Sequence, residues 1–170
     1  MWTSSRRLAA AVGFDITSKR NPAIAALSKL RRKKRARDEK GLVVVRGRQL
    51  IQAIGEHFPF QQVFTHEEPS RWKGYSSEQI LRVDKSVLQH ALFSPGKCRE
   101  AHMNTMDDDE FVAGIVEQPK ESDFEAPATC LLAVDSVKHP GNMGLLLSTA
   151  VALKFDGVLL VGSSIDPFNY

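Results

Sequence analysis

The sequence predicts an α/β protein built as two consecutive α/β units. Three observations carry this. Up to about residue 118, short apolar runs alternate with segments of helical periodicity. From Cys130 to Val161, two strands that are apolar at nearly every position flank one helical stretch. Between them lies "QPKESDFEAP", Gln118 to Pro127, rich in charge and bounded by Pro119 and Pro127. The expected organisation is a disordered or targeting segment over 1–16, a first domain over 17–118, a linker over 119–128 and a second domain over 129–170.

In chain order, "SKRNPAIAALSKLRRKKRARDEKG" predicts one helix. Asn21 is its N-cap, Pro22 suits the first helical position, and Gly41 is its stop. Ala23, Ala26, Leu27 and Leu30 form a narrow apolar stripe. "LVVV" (Leu42 to Val45) is a buried strand, followed by the helix "GRQLIQAIGEHF" with Leu50, Ile51 and Ile54 facing inward. "QQVFT" (Gln61 to Thr65) and "ILRV" (Ile80 to Val83) are further strands. "DKSVLQHALF" is a short helix capped by Asp84, and "FVAGIVE" (Phe111 to Glu117) is the last strand of the unit. In the second unit, "CLLAVD", a helix from about Gly141 to Lys154 and "GVLLV" (Gly157 to Val161) make a β-α-β unit. Strands apolar at nearly every position are the mark of a parallel pair covered on both faces. One helix covers only one face, and a lone two-stranded sheet is marginal in water. The second domain is therefore expected to be incomplete, or to need a partner.

Charge is distributed unevenly. Residues 1–40 carry 12 Lys and Arg against 3 acids, and the remainder 11 against 17, for a net +3. A basic head on a mildly acidic body favours contact with nucleic acid or another anionic surface. Six cations fall within Arg31 to Arg37, in "KLRRKKRAR". This run is a candidate for phosphate contact; a solvated helix face or a localisation signal is the alternative. No apolar run approaches the roughly 18 residues of a membrane span. Cys98 and Cys130 belong to no CxxC pattern, which argues for a reducing compartment and against a disulfide framework or structural zinc. "MWTSSRRLAAAVGF" has two arginines, two serines and no acid, in the manner of a short organelle presequence. Mitochondrion or plastid is thus slightly favoured over cytoplasm or nucleus.

The second candidate is "VDSVKHPGNMG". Asp135 closes a strand, Pro140 stiffens the turn, and Gly141 and Gly144 leave room for a backbone or ligand. Asn142 stands at the helix entrance, either as its N-cap or as a hydrogen-bonding group at the C-terminal edge of the sheet, where ligands of open α/β sheets bind. His139 is a candidate general base or an exposed loop residue. Cys98 with His102, and "DDDE" (Asp107 to Glu110), are weaker candidates for metal.

From Cys130 to Val161 the sequence resembles the first motif of the SpoU (TrmH-type) branch of SPOUT RNA methyltransferases. That motif is an apolar strand, an Asp, a Pro-x-Asn-x-Gly turn, and a helix with an Arg-Thr-Ala or Arg-Ser-Ala step. "SSIDPFN" is similar to the family's continuation. The stretch from Ser18 through "GLVVVRGRQLIQAI" is similar to the opening of the family's substrate-binding domain, an L7Ae/L30e-like α/β RNA-binding module, with Arg46-Gly47 where the family has Glu-Gly. "FVAGIVEQP" is similar to that module's last strand.

The resemblance implies an L7Ae/L30e-like domain followed by the first β-α-β part of an incomplete SPOUT (α/β knot) domain. It implies transfer of methyl from S-adenosylmethionine to a ribose 2′-hydroxyl of structured RNA, rRNA or tRNA, in a homodimer without a membrane. Asn142 matches the motif's Asn beside the catalytic centre. Ser148 stands at the motif's Arg and carries no fixed charge. The set expected to face RNA is Asn21, Lys29, Arg31, Arg32, Lys33, Lys34, Arg35 and Arg37. The family's later motifs, which form the knot and bind the cofactor, would follow Tyr170. The chain is thus expected to be C-terminally truncated and not to bind S-adenosylmethionine by itself. The alternative is a catalytically inactive RNA-binding or ribosome-assembly protein derived from the family.

Overall fold

The computed structural model describes residues 15–72, 77–93, 107–120 and 128–168. The chain divides between Gln118 and Pro119 into two compact units. The presequence-like stretch and the Cys98–His102 pair lie outside the described residues.

Unit 1 opens with α1 (Pro22–Arg32) and α2 (Lys34–Lys40) in place of the single helix that the sequence predicts. Asn21 caps α1, its side chain accepting from the Ala23 N–H at 2.9 Å. The break is at Lys33, which is extended (φ −122°, ψ 110°). No Gly or Pro causes it. A continuous helix would stack like charges one turn apart across the cationic run. Once broken, it lets the Arg37 guanidinium turn back and donate to the carbonyls of Leu30 (2.8 Å) and Arg31 (3.2 Å). Those carbonyls belong to the last turn of α1, where helical acceptors lack backbone donors. Gly41 ends α2 in the left-handed region at φ +61°, open to a residue without Cβ.

β1 (Leu42–Arg46), β2 (Phe60–Thr65), β3 (Ser77–Arg82) and β4 (Val112–Glu117) form a four-stranded sheet in the order β1-β4-β2-β3. β4 runs antiparallel to β1 and β2, and β2 and β3 are parallel. Ahead of α1, Ile16 is buried and bridges to Val83, so the first unit takes in residues before 17. One face of the sheet packs Val44, Ile115, Ala113, Phe64 and Leu81 against Ile24, Leu27 and Leu30 of α1 and against α4 (Lys85–Leu92), whose N-cap is Asp84. The buried stripe of α1 therefore runs through Ile24; Ala23 and Ala26 are only half-buried.

α3 (Arg48–Gly55) buries Ile51 completely but leaves Leu50 56% exposed, against the expectation that both face inward. Leu50 and Ile51 are successive residues, separated by about 100° on a helix, so both cannot occupy the centre of one face. At Gly114 an added Cβ would lie 2.5 Å from the buried Phe60 ring, so only glycine lets that ring close over β4.

Unit 2 is β5 (Leu131–Asp135), α5 (Pro140–Ala152) and β6 (Gly157–Val161), with β5 and β6 parallel. Asp156 ties the two strand starts together. Its carboxylate accepts from the backbone N–H of Thr129 (2.8 Å) and Cys130 (2.9 Å) and from the Thr129 hydroxyl (2.9 Å). These bonds, from Cys130 first, hold its carboxyl below the usual range. The strand composition predicts cover on both faces, but Leu131, Leu159, Leu160 and Val161 stay exposed. Val134, Met143 and Ala150 are the unit's buried apolar residues among those described. No helix among the described residues is long and apolar enough to cross a membrane.

Candidate functional site

The cationic run of unit 1 sorts into two kinds of residue. Lys29, Arg32, Lys33, Lys34 and Arg35 are exposed. Arg31 and Arg37 are 8% and 2% exposed, with Arg37 spent on the α1 carbonyls. Asn21 is half-buried and occupied in capping. The outward cationic surface is thus the five exposed residues around the α1–α2 break, and Arg31, Arg37 and Asn21 belong to its scaffold. Arg35 also pairs with Glu39 at 2.6 Å in an exposed i,i+4 contact.

A second charged cluster, unforeseen in the sequence, gathers at the other end of β1. Arg48 bonds Glu67 at 2.6 Å and Asp109 at 2.5 Å while lying 4.8 Å from the Trp72 ring centroid. The Trp72 indole N–H also donates to Glu67, at 3.3 Å. Hydrogen bonding to Glu67 raises the Arg48 pKa further. Burial pushes the Glu67 carboxyl up, but the Arg48 bond and charge outweigh it and hold the group below its usual range. Nearby, Lys85 bonds Asp108 at 2.6 Å and Arg46 pairs with Glu110 at 3.4 Å. The "DDDE" carboxylates Asp108, Asp109 and Glu110 are therefore engaged by cations. Among the described residues no cluster of His, Cys, Asp and Glu fits a metal ion. Only Arg46-Gly47-Arg48 is local in sequence; Glu67, Trp72 and Asp109 reach it through the fold.

In unit 2, α5 begins at Pro140, a residue the sequence places in the turn before a helix from about Gly141, and the N-cap is His139, whose Nδ1 accepts from the Gly141 N–H at 3.2 Å. Pro140 takes the first helical position, which puts Asn142 two residues inside the helix and makes His139 the residue at the cap. Asn142 is exposed. Gly144 faces open space, with nothing within 4 Å of the point a Cβ would occupy, so no packing demand accounts for that glycine. Ser148 is exposed and its hydroxyl donates to the Gly144 carbonyl at 2.8 Å, one turn back. At the strand ends, Lys138 bonds Ser163, and the Ser164 hydroxyl bridges Val134 and Val161 carbonyls at 3.2 and 3.0 Å. This edge offers an exposed amide, a helix entrance and one lysine, but no cation on the Ser148 turn.

No family model and no curated protein matches the sequence. Solved structures do match. An AdoMet-bound rRNA methyltransferase from Sinorhizobium meliloti is similar over 91% of this chain and 57% of its own, at 23% identity and a TM-score of 0.65. The SpoU methyltransferase AviRb from Streptomyces viridochromogenes matches over 88% and 54%, at 20% identity and a TM-score of 0.62. A TrmH-family putative RNA methyltransferase from Porphyromonas gingivalis matches over 85% and 53%, at 20% identity and a TM-score of 0.58. The mixed α/β fold is therefore that of SpoU/TrmH-type methyltransferase structures, and the chain spans a little over half of their length.

Proposed function

We propose that this chain is part of a SpoU-type RNA 2′-O-methyltransferase. In this reading unit 1 is the L7Ae-like module that holds structured RNA, rRNA or tRNA, and unit 2 begins the methyl-transfer domain. The observation that carries it is the fold match to RNA methyltransferases, which extends over 91% of the chain. The exposed cations Lys29, Arg32, Lys33, Lys34 and Arg35 supply phosphate contacts.

A ribose hydroxyl is a weak nucleophile. Methyl transfer to it needs proton removal and a positive charge beside the developing alkoxide. Asn142, exposed at the helix entrance, can orient the ribose by hydrogen bonding. Ser148 contributes no charge, and its hydroxyl is turned onto its own helix. S-adenosylmethionine would supply the methyl group. The residues here do not fit it on their own, because at the strand ends Lys138 is bonded to Ser163 and the Ser164 hydroxyl to the Val134 and Val161 carbonyls. No step is assigned to it in this chain.

The Ser148 geometry also favours a second reading, a non-catalytic RNA-binding or ribosome-assembly protein on the same fold. Titration calorimetry of the chain tests what the two readings share. Structured RNA at low salt is expected to give a saturable binding heat, and S-adenosylmethionine none. A chain silent toward RNA contradicts both readings, and micromolar cofactor binding contradicts the reading that this chain by itself does not fit S-adenosylmethionine.

A further inference from the structure

An open groove of about 490 Å³ lies in unit 1 between α1 and the sheet. That volume is within the roughly 300–1,000 Å³ of small-ligand sites. Leu30, Leu42 and Ile115 give it aliphatic walls, and Gln62 and Gln79 line it from adjacent strands. Resting on the RNA-binding reading above, we infer that this groove receives one unpaired nucleotide of the bound RNA, with the edge of its base on the Gln62–Gln79 amide pair.

The two amides are joined by one bond, from Gln62 Nε2 to Gln79 Oε1, at 3.0 Å. A primary amide has two N–H donors and an oxygen with two lone pairs. One bond leaves the Gln79 amino group as donor and the Gln62 oxygen as acceptor on the same pair of side chains. Exchanging O and N in both amides leaves the same donor–acceptor pair. This is the pattern by which glutamine reads a base edge. A base offers its edge and both faces to a protein only when it is unpaired and unstacked, so a continuous duplex cannot enter.

The charges around the groove orient the nucleotide. Lys40 lines it on the side of the cationic run. Lys29, exposed, follows the wall residue Ala26 by three positions, one turn along the helix surface, and the exposed Lys33 stands at the end of the same helix. A phosphate is stabilised on that side. Glu78 lines the groove as well, repels phosphate, and accepts from a base N–H or a ribose 2′-hydroxyl. No aromatic side chain lines the groove among the described residues. The contact with the base faces is therefore aliphatic, and the groove's contribution is discrimination of unpaired from paired RNA rather than strong stacking.

Fluorescence anisotropy with the whole chain tests this, using a hairpin RNA with an unpaired loop and a blunt duplex of equal length. The variants are Gln62→Leu/Gln79→Leu, which removes both polar edges, and Gln79→Glu, which keeps the shape but replaces the donor. Hairpin affinity is expected to fall about tenfold in both variants, the scale on which a bidentate base pairing discriminates, while duplex affinity stays unchanged. If the leucine pair disturbs folding, seen as a lowered circular-dichroism melt, the Gln79→Glu variant decides. Hairpin binding equal to wild type in a folded variant overturns the groove assignment and leaves the RNA reading standing. An equal loss for hairpin and duplex also overturns it. A wild-type chain that binds neither RNA overturns both.

Discussion

Arg37 looks in sequence like one more cation of a phosphate-binding run, yet its guanidinium is buried and bonded to two helix-end carbonyls. Hydrogen bonds to charged groups contribute about 1.5–3 kcal/mol each, and truncation leaves the Leu30 and Arg31 acceptors unpaired. Arg37→Ala is expected to lower the unfolding free energy by about 2–4 kcal/mol in urea melts. Lys34→Ala, on the exposed surface, should stay within about 0.5 kcal/mol of wild type. Equal effects would contradict the division into scaffold and surface. Glu67 gives a pH signature. Its folded pKa lies below the ordinary carboxylate value of 4.5, so the stability it contributes is present above that value and is lost as pH falls through the folded pKa. Melting temperatures should fall with pH below about 4.5, and Glu67→Gln should flatten part of that slope. An unchanged slope in the variant would sink this assignment.

At the scale of elements, strands are the most legible part of the sequence. Leu42 to Val45 and Gly157 to Val161 are continuous apolar runs and Gln61 to Thr65 carries Val, Phe and Thr in succession, and each forms the strand expected to within a residue. The α1–α2 break is not legible, because no Gly or Pro marks it and the bonds from Arg37 back to Leu30 and Arg31 that accompany it depend on the folded backbone. The cap of α5 escapes the sequence for a similar reason. Asn142 has the right residue type for a cap, but Pro140 sets the first helical position and leaves the cap to His139. Gly114 is the element-scale test of packing. Gly114→Ala would press a methyl group onto Phe60, and overpacking of this kind typically costs about 1–3 kcal/mol. Pairing it with Phe60→Leu should recover part of the loss in thermal melts; no loss in the single variant would mean that Phe60 sits more loosely on β4 than described.

On the scale of the whole molecule, the chain divides between Gln118 and Pro119, at the start of a charged, proline-bounded stretch of sequence. The candidate sites are only half legible. The cationic run and the "PGNMG" turn are local in sequence and stand out from it. The Arg48–Glu67–Asp109 cluster and the Gln62–Gln79 pair join residues far apart in the chain, and only strand register and loop return bring them together. The exposed apolar residues of β6 likewise look buried from composition, since burial is set by neighbours and not by hydropathy. On the proposed function, unit 1 holds RNA through the exposed cations at the α1–α2 break. The most direct test of this is the salt dependence of RNA affinity for wild type and for a variant with Lys29, Arg32, Lys33, Lys34 and Arg35 all changed to Ala. Removing one phosphate-binding cation should reduce the slope of log K against log salt by about 0.7–0.9. A markedly flatter slope with weaker binding is the predicted result; a variant with the wild-type slope and affinity would contradict it.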